Sequence, residues 1–383
     1  MRDMRLDQHH QDFFTAVRDM AEKHVSPVAN EIDRTNEFPA HLIEVFGDMG
    51  LVQLAVPEEY GGPGGDLLSG CLAREAVAQA GSMALAQLAG QNSIVVNAIL
   101  TSASKELLDE LLPTLAKGRT ITCIAITEPD AGSDPSLMTT RAVRDGSRWI
   151  INGAKQFITW GSMAKYALVF ARTNDLPGSK GISAFLVDTA QDGWKVAKHN
   201  DKMGQHGVPN NEIFLDDVTV EDAFLVGEEG NGFGAAMHGL HLNRPTVSAI
   251  AVGAAQCALD YAIDYAKQRE AGGRRIVEFQ GLRWMMAEDY TNIAAARHLV
   301  YDCAQSYDSG APQDEVTKLS SMAKLFAADT VNRVTANAVQ ILGGHGYMSE
   351  HPVERYLRDA KLLGIYEGTS QIQRNIIAKR ILR

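Results

Sequence analysis

The chain has few cysteines: Cys71, Cys123, Cys257 and Cys303 are the four among its 383 residues. They are far apart in the sequence, and no CxxC pair or other metal-site spacing occurs. We therefore expect no disulfide framework and no metal centre, and each cysteine is predicted to pack as a small apolar side chain. This use of cysteine fits a reducing compartment.

Positive charge is also scarce, because the chain has 36 Lys and Arg against 47 Asp and Glu, a net charge of −11. A nucleic-acid partner, which requires clustered basic side chains, is not expected. No apolar run in the sequence approaches membrane-spanning length, so no membrane insertion is expected. Residues 1–7 are too polar for a signal peptide and too acidic for a transit peptide. These features predict a cytoplasmic protein of bacterial type, or an already processed one.

The hydrophobic period changes twice along the chain, which is long enough for two or three domains. Up to about Gly118 the pattern is helical, as in the leucine-rich run that follows Ser104, a predicted helix cap. Between about Ile121 and Val226 the period is two, which predicts strands that include 166–172 and 181–187. Two glycine clusters, 61–65 and 230–234, lack the flanking strands of phosphate loops and are predicted to be a turn and a helix start.

Long helical runs return after about Gly230, at 233–269, 278–307 and 318–342, followed by a short final helix. Within the middle region, Asp145-Gly146 predicts a tight hairpin turn. The fold is therefore predicted to be mainly α with a central β-domain. The expected domains are an N-terminal helical domain (1–120), a middle β-barrel or small sandwich (121–229) and a C-terminal helical bundle (230–383).

One carboxylate near the C-terminus, Glu367, lies within the run 364–374, which reads Gly-Ile-Tyr-Glu-Gly-Thr-Ser-Gln-Ile-Gln-Arg. It precedes a glycine and a helix that Thr369 or Ser370 can cap. A carboxylate at such a point can enter an apolar pocket, where desolvation raises its pKa toward that of a useful general base. From this run alone the simpler interpretation, a solvated residue before a capped helix, is favoured.

Two further runs lie in the β region. The first, 123–134, passes from an apolar strand to a turn whose hydroxyls and backbone amides can hold a flavin by hydrogen bonds. The second, 155–161, places Phe157 two residues before Thr159, so that on a regular strand both side chains share one face. An ordinary turn and an ordinary core strand are the alternatives for these two runs.

Together these runs resemble the acyl-CoA dehydrogenase family over essentially the whole chain. The family's motifs stand in the same order at 57–62, 127–134, 157–159, 227–233, 243–245, 340–344 and around Glu367. The resemblance implies a helical N-terminal domain, a middle β-barrel and a C-terminal four-helix bundle. It also implies a homotetramer that holds FAD between domains and subunits, an acyl-CoA substrate, and an electron-transfer flavoprotein as acceptor.

The resemblance implies roles for the matching residues. Flavin contacts are expected from Thr127, Ser133, Phe157, Ile158 and Thr159. Residues expected to reach the FAD of a neighbouring subunit are Arg269, Gln280, Gln340, Gly343 and Gly344, while Thr369 and Gln371 close over the cofactor. Substrate contacts are expected from Ser133, His241, Arg244 and Gly368.

In the implied reaction, Glu367 removes the α-proton of a fatty acyl thioester. The thioester oxygen accepts hydrogen bonds from a flavin ribityl hydroxyl and from the backbone N–H of Glu367, which stabilises the developing enolate. The β-hydrogen leaves as hydride to the flavin, and the product is a trans-2-enoyl-CoA. This chemistry needs alignment of three groups, which is the contribution of the protein.

The chain departs from the family pattern at a few positions. Some members carry the base immediately before the arginine equivalent to Arg244, but Asn243 stands there and cannot act as a base, so the resemblance implies that Glu367 is the base. His241 replaces a frequent aspartate near the CoA portion. A histidine there can still donate or accept, and the simpler interpretation, a satisfied surface group, is favoured. Gly272 replaces a phenylalanine that packs on the neighbour's FAD, which predicts weaker cofactor binding.

The acyl group is only partly predicted. The segment expected to line the far end of the pocket, 83–104, contains no charged residue, so a dicarboxylic acyl group is disfavoured. Short, medium and branched monocarboxylic chains remain open, because chain length depends on the shape of the pocket.

Two other functions use the same sequence features. An enzyme that reacts with oxygen, such as an acyl-CoA oxidase or flavin monooxygenase, is disfavoured because the oxidases are usually longer and the monooxygenases usually lack the glutamate. A partner subunit of a hetero-oligomer is allowed by Gly272, but the presence of Glu367, Thr159 and Arg244 argues against it.

Overall fold

A computed structural model describes residues 6–382, apart from the side chains of residues 235 and 236. The N-terminal part is helical, with α1 (Gln8–His24), α2 (Ala29–Thr35), α3 (His41–Asp48), α4 (Leu67–Gln79), α5 (Met83–Ala86), α6 (Ser93–Ser102) and α7 (Lys105–Leu115). α7 begins at the predicted cap, because the backbone N–H of Leu107 donates to Ser104 Oγ at 3.2 Å. α4 is buried on nearly every side, so it is the central helix of this part.

The middle part is a sheet of eight strands: β1 (Thr122–Ala125), β2 (Arg141–Asp145), β3 (Arg148–Thr159), β4 (Tyr166–Arg172), β5 (Ile182–Asp188), β6 (Trp194–His199), β7 (Asn210–Glu221) and β8 (Leu225–Val226). The strand order is β6-β7-β3-β2-β4-β5-β8, with β1 parallel to β4. The predicted middle β-domain is confirmed. In the described chain the end strands β6 and β8 do not pair, so the expected barrel takes the form of one open sheet.

The predicted hairpin is present, with its turn shifted by one residue. Asp145 pairs with Arg148 at the end of the ladder, so the two turn residues are Gly146 and Ser147. Gly146 has φ +66°, a left-handed conformation that glycine adopts without steric cost.

The C-terminal part contains α8 (Gly232–Gln268), α9 (Gln280–Asp308), α10 (Gln313–Leu342), α11 (Val353–Lys361) and α12 (Ser370–Ile381). A small hairpin of β9 (Glu270–Ala271) and β10 (Arg274–Arg275) joins α8 to α9. α10 packs against α8, α9 and α12, as expected for a helical bundle, and α8 also packs against α4. The long helices therefore connect the N-terminal and C-terminal parts through one core.

α8 is long and apolar enough over one 18-residue window to cross a membrane by length and composition, contrary to the expectation from the sequence. Within that window 72% of the residues are buried in the protein, which is typical of a core helix.

All four cysteines are free; Cys71, Cys123 and Cys303 are buried, which confirms their predicted packing. The prediction that residues 1–7 form neither a signal peptide nor a transit peptide includes residues 1–5, which lie outside the described residues.

The three parts of the chain meet at the loop 201–209 of the sheet region. Gln205 donates its backbone N–H to the Asp359 carboxylate and its side-chain N–H to the Asp359 carbonyl, and it accepts from the amide of Gln87. Beside it, Asp33 of α2 accepts from Arg358 of α11 at 2.6 Å. This cluster, the Gln205 junction, holds one loop to helices from both ends of the chain.

Candidate active site

A cavity of about 640 Å³ is lined by residues from all three parts of the chain. Nine of the predicted site residues line it: Thr127, Ser133, Phe157, Ile158, Thr159, His241, Arg244, Glu367 and Gly368. The remaining seven, which belong to the predicted cofactor contacts, do not: Arg269, Gln280, Gln340, Gly343, Gly344, Thr369 and Gln371. The structure therefore brings together every predicted substrate residue and five of the predicted flavin contacts.

Glu367 is held in a turn of unusual backbone conformation between a short 3₁₀ segment and α12. Glu367 has φ +58° and Gly368 has φ +87°, so two consecutive residues are left-handed. A non-glycine residue adopts this conformation at a cost, and it persists where its surroundings fix it. Thr369 is the helix cap, because its Oγ1 accepts from the N–H of Ile372 at 3.3 Å.

Side chains from three helices fix the carbonyl groups of this turn. Arg244 Nε donates to the carbonyl of Glu367 at 3.1 Å, and Lys324 Nζ donates to the carbonyl of Gly368 at 2.8 Å. The amide of Gln373 donates to both carbonyls, at 3.1 and 2.9 Å. In the described chain the backbone N–H of Glu367 donates no hydrogen bond to a protein group.

The two carboxylate oxygens of Glu367 have different surroundings. Oε1 accepts from Asn243 Nδ2 at 2.9 Å, whereas Oε2 is buried and has no hydrogen-bond partner among residues 6–382. Burial raises the pKa of Glu367, and the nearby Arg244 and the Asn243 amide partly oppose that rise. Glu367 lines the cavity, and this arrangement leaves one of its oxygens without a hydrogen bond, as a proton acceptor requires.

His241 is not the surface group that the sequence suggested. Arg244 Nη1 donates to His241 Nδ1 at 2.8 Å, which requires that this nitrogen carry no proton. Burial and the neighbouring Arg244 lower the pKa of His241 to about 3. The imidazole is therefore neutral and helps to hold Arg244, while it lines the cavity.

The Phe157 segment is an interruption of β3 rather than a regular strand. The register shifts between Lys155 and Ile158, and Phe157 has φ +58° with 59% of its surface exposed. Phe157 and Thr159 both line the cavity, but the simple alternation of a regular strand is not what brings them there. The irregularity instead presents an aromatic ring to the cavity.

A polar frame fixes this irregular segment. Asn210 Nδ2 donates to the Phe157 carbonyl at 3.0 Å and to Thr159 Oγ1 at 3.3 Å, so the hydroxyl proton of Thr159 stays free to donate. Below it, Lys155 and Glu128 form a buried ion pair at 2.8 Å. Although burial opposes the charge, Lys155 and backbone donors lower the pKa of Glu128 to about 2.

The lining of this part of the cavity fits a flavin. An exposed aromatic ring and the hydroxyls of Thr127, Ser133 and Thr159 provide a flat apolar contact with hydrogen-bonding groups at its edge. No cationic group is needed for a neutral ring system of this kind. The residues present therefore suit an isoalloxazine.

The residues predicted to reach a neighbouring subunit lie together at one end of the helical bundle. Arg269 directly follows α8, Gln280 begins α9, and Gln340 lies in the last turn of α10. Tyr265 OH and His345 Nδ1 are 3.0 Å apart, which joins the ends of α8 and α10. The five residues predicted to reach a neighbouring subunit, Arg269, Gln280, Gln340, Gly343 and Gly344, are exposed. Their role toward a second subunit stays a prediction.

Several residues that shape the site were not predicted from the sequence. Lys324, Gln373 and Tyr366 contact or line the turn of the base, and nothing in their local pattern distinguishes them. Arg74 also lines the cavity. Its signal was available, because Arg74-Glu75 is a charged pair inside the otherwise uncharged run 67–80.

Comparison with known proteins agrees with this architecture. Models of the acyl-CoA dehydrogenase N-terminal, middle and C-terminal domains match residues 7–119, 123–218 and 230–382. The chain belongs to the acyl-CoA dehydrogenase family. It is an oxidoreductase of the flavoprotein class, and its cofactor is FAD.

Two curated relatives show the range of this similarity. The chain is 41% identical over 366 residues to an acyl-CoA dehydrogenase of Bacillus subtilis, with 96% of each chain covered. It is 37% identical over 380 residues to a 3-(aryl)acrylate reductase of Clostridium sporogenes, covering 99% of this chain and 100% of that protein.

Two solved structures share the fold. A butyryl-CoA dehydrogenase from Megasphaera elsdenii superposes with a TM-score of 0.95 at 36% identity, with 99% of each chain covered. A chain from a study of the electron transferring flavoprotein of Acidaminococcus fermentans also has a TM-score of 0.95, at 38% identity and full coverage of both chains. Both similarities extend over the whole architecture described above.

Proposed function

We propose that this enzyme removes hydrogen from the α and β carbons of a saturated acyl-CoA to give a trans-2-enoyl-CoA, with Glu367 as the base that takes the α-proton. The observation that carries the proposal is the Glu367 carboxylate itself. One of its oxygens accepts a hydrogen bond from Asn243, and the other is buried and has no hydrogen-bond partner among residues 6–382, in a side chain that lines the cavity. A buried carboxylate of raised pKa is suited to accept a proton from a weak carbon acid.

The residues around the base support the same reaction. The free N–H of Glu367 can donate to the thioester oxygen, which places a hydrogen-bond donor where negative charge develops during removal of the α-proton. Arg244, Lys324 and Gln373 hold the carbonyls of the turn, so the N–H and the carboxylate keep fixed directions. FAD, when bound by Thr127, Ser133, Phe157, Ile158 and Thr159, supplies the acceptor for the β-hydride.

The cavity wall supports an acyl-CoA of monocarboxylic type. Ile94, Met237, Leu240 and Val247 give an apolar lining for an acyl chain. Lys379 and Arg380 of α12 also line the cavity and carry charge that suits the phosphates of CoA. Short, medium and branched chains are proposed. A dicarboxylic chain is disfavoured, although Arg74 reaches the cavity, because hydrogen bonds to protein groups already engage each nitrogen of its guanidinium.

We further propose a homotetramer in which Arg269, Gln280, Gln340, Gly343 and Gly344 contact the FAD of a neighbouring subunit, and in which Thr369 and Gln371 lie over the cofactor. An electron-transfer flavoprotein is the proposed acceptor, in line with the similarity to a chain from the Acidaminococcus fermentans study of such a flavoprotein. The cytoplasm is the proposed location, in agreement with four free cysteines.

The test is an absorbance spectrum of the protein expressed alone, followed by anaerobic titration with acyl-CoAs from butyryl and isobutyryl to palmitoyl. One of them is expected to bleach the band of oxidised flavin. Glu367→Gln should bind flavin and abolish the bleaching, because the amide cannot accept the α-proton. Glu315→Gln, the same chemical change at an exposed position of α10, is the matched control and should bleach like the wild type.

Two outcomes would contradict the proposal. A yellow protein that no acyl-CoA bleaches would exclude these substrates, and bleaching that survives in Glu367→Gln would exclude this base. A colourless protein that takes up flavin only with a second chain would support the partner-subunit alternative. Rapid reoxidation of the reduced enzyme by air would support an oxygen-dependent one.

The reverse direction is a second candidate, because the Clostridium sporogenes relative is named a 3-(aryl)acrylate reductase. The same carboxyl group of Glu367, when protonated, can return a proton to the α-carbon. Adding an enoyl-CoA to the dithionite-reduced protein distinguishes the directions by rate. Faster reoxidation by the enoyl-CoA than reduction by its saturated partner would favour the reductase.

A further inference from the structure

Arg74 is a buried cation that the reaction described above does not use. It lies in α4, and only 5% of its surface is exposed. Its Nε donates to the carbonyl of Ala89 at 2.8 Å, and Nη2 donates to the carbonyl of Gly90 at 3.2 Å. Nη1 donates to Thr246 Oγ1 at 2.8 Å and to Asn243 Oδ1 at 3.1 Å. A guanidinium whose hydrogen-bond partners are all neutral is costly to bury, and the charge of Glu367 offsets part of that cost.

The bond to Asn243 determines which way the amide of that residue points. A guanidinium has donors and no acceptor, so the Asn243 atom that faces it must be the oxygen. The NH₂ group must then face Glu367 Oε1, which lies 2.9 Å away. With the amide reversed, its oxygen would face a carboxylate oxygen and its N–H groups would face the N–H groups of Arg74. Both contacts would be repulsive, so Arg74 selects a single orientation.

We infer that Arg74 is a positioning residue for the base: it locks the Asn243 amide so that it donates to Glu367 Oε1 and leaves Oε2 as the oxygen without a hydrogen-bond partner. This inference rests on the proposed function of Glu367. It gives Asn243, a position that cannot itself act as a base, a defined task in this chain. It also links the base to the acyl wall, because the carbonyls that Arg74 holds lie between Gln87 and Gln91, which line the cavity.

The inference has a measurable consequence in the pH dependence of the reaction. Burial favours the neutral form of Glu367, whereas the charge of Arg244, the Asn243 bond and the charges of Arg74 and Lys324 favour the ionised form. Substitution of Arg74 or of Asn243 is expected to remove this hydrogen bond to the charged carboxylate. That loss should raise the apparent pKa of the base by about one to two pH units. The fraction of ionised Glu367 at a pH below that value then falls about ten- to a hundredfold.

The experiment compares FAD-loaded, full-length wild type with Arg74→Met and Asn243→Leu. The rate of flavin reduction by the best acyl-CoA is measured against pH by anaerobic rapid mixing. Exchange of the α-proton with D₂O is followed by NMR as a second readout. Both variants are expected to shift the pH profile upward by a similar amount and to recover much of the rate at high pH.

Arg355→Met is the matched control. Arg355 is likewise 5% exposed, and it donates to the carbonyl of Gly81 and to Asn30 Oδ1, away from Glu367. It should lose thermal stability without a shift of the pH profile. If Arg74→Met does not fold, Asn243→Leu keeps the inference falsifiable, because an unshifted profile in that variant would show that the hydrogen bond to Glu367 Oε1 does not tune the base.

An unshifted pH profile in the folded variants, with rates reduced equally at every pH, would overturn the inference and leave a merely structural role. That result would leave the proposed function intact, because bleaching of the wild type by an acyl-CoA establishes the function separately. A wild type that no acyl-CoA bleaches would overturn the function and the inference together.

Discussion

Replacement of Gly368 by alanine tests how strongly the turn of Glu367 depends on its glycine. Gly368 has φ +87°, and a Cβ built on it lies 2.8 Å from Gln373 Nε2. The same amide donates to the carbonyls of Glu367 and Gly368 at 3.1 and 2.9 Å. A methyl group at this position therefore displaces Gln373, the one donor that the two carbonyls share, while Arg244 and Lys324 remain as donors to one carbonyl each. The direction of the base is expected to change with that loss.

The cost has two parts. An alanine in the left-handed region costs about 1–2 kcal/mol relative to glycine. Loss of two hydrogen bonds at about 1 kcal/mol each adds about 2 kcal/mol, which gives a total of about 3–4 kcal/mol in the free energy of unfolding. A displacement of the base by about 1 Å is expected to slow reduction of the flavin about a hundredfold.

Gly310→Ala is the control, since Gly310 has φ +76° and its added Cβ meets no atom within 4 Å. It shares the backbone strain with Gly368→Ala and lacks the clash. Unfolding in urea should show a loss of about 1–2 kcal/mol for Gly310→Ala and roughly twice that for Gly368→Ala. Rapid mixing with an acyl-CoA should show a slow reaction only for Gly368→Ala. A normal rate in Gly368→Ala, or an equally slow one in Gly310→Ala, would refute the reasoning.

The pKa of His241 is lowered from 6.5 to about 3, so the unfolded chain binds a proton in this window that the native protein excludes, and stability falls as pH drops through it. The free energy of unfolding, measured in urea, should fall less for His241→Gln than for wild type as the pH is lowered from neutral to about 5. The exposed His9 provides the control, and His9→Gln should behave like wild type. Lys155→Met leaves the buried Glu128 carboxylate without its cation and should cost about 3–5 kcal/mol in urea unfolding, part of which Glu128→Gln in the same chain restores. If the double variant is no better than the single one, the pair has no coupling. Gln87 lines the cavity and donates to Gln205, so it places a polar amide in the cavity wall. Gln87→Leu makes this part of the wall apolar and should raise kcat/KM severalfold for an acyl-CoA whose alkyl chain reaches it. An unchanged kcat/KM would show that the alkyl chain does not contact residue 87.

Local pattern predicted much of the fold. Strand β4 has the predicted bounds 166–172, Ser104 caps α7, and α8 begins within the glycine cluster 230–234. These features depend on periodicity and capping within a few residues, which a sequence displays directly. The turn at Gly146 was displaced by one residue, because the Asp-Gly pair alone does not say which residues close the ladder.

The site was predicted as a set of residues but not as a geometry. The family's motifs identified Glu367 and the predicted flavin contacts of the β-domain, and these residues line the cavity. The contact of Arg74 with Asn243 joins positions 169 residues apart, and no local pattern encodes such a contact. The left-handed Phe157 also escaped prediction, since a positive φ at a phenylalanine is set by tertiary partners such as Asn210.

The Gln205 junction has a consequence for how the molecule opens. Surface loops usually exchange their amide hydrogens through small local fluctuations, independently of the core. The loop 201–209, however, cannot swing outward without freeing Asp359, whose carboxyl is buried and whose pKa burial raises to about 6. It would also release Gln87 from the cavity wall. Hydrogen exchange at Gln205 should therefore proceed only as fast as the helices beneath it come apart, which would make this loop one of the slowest on the surface.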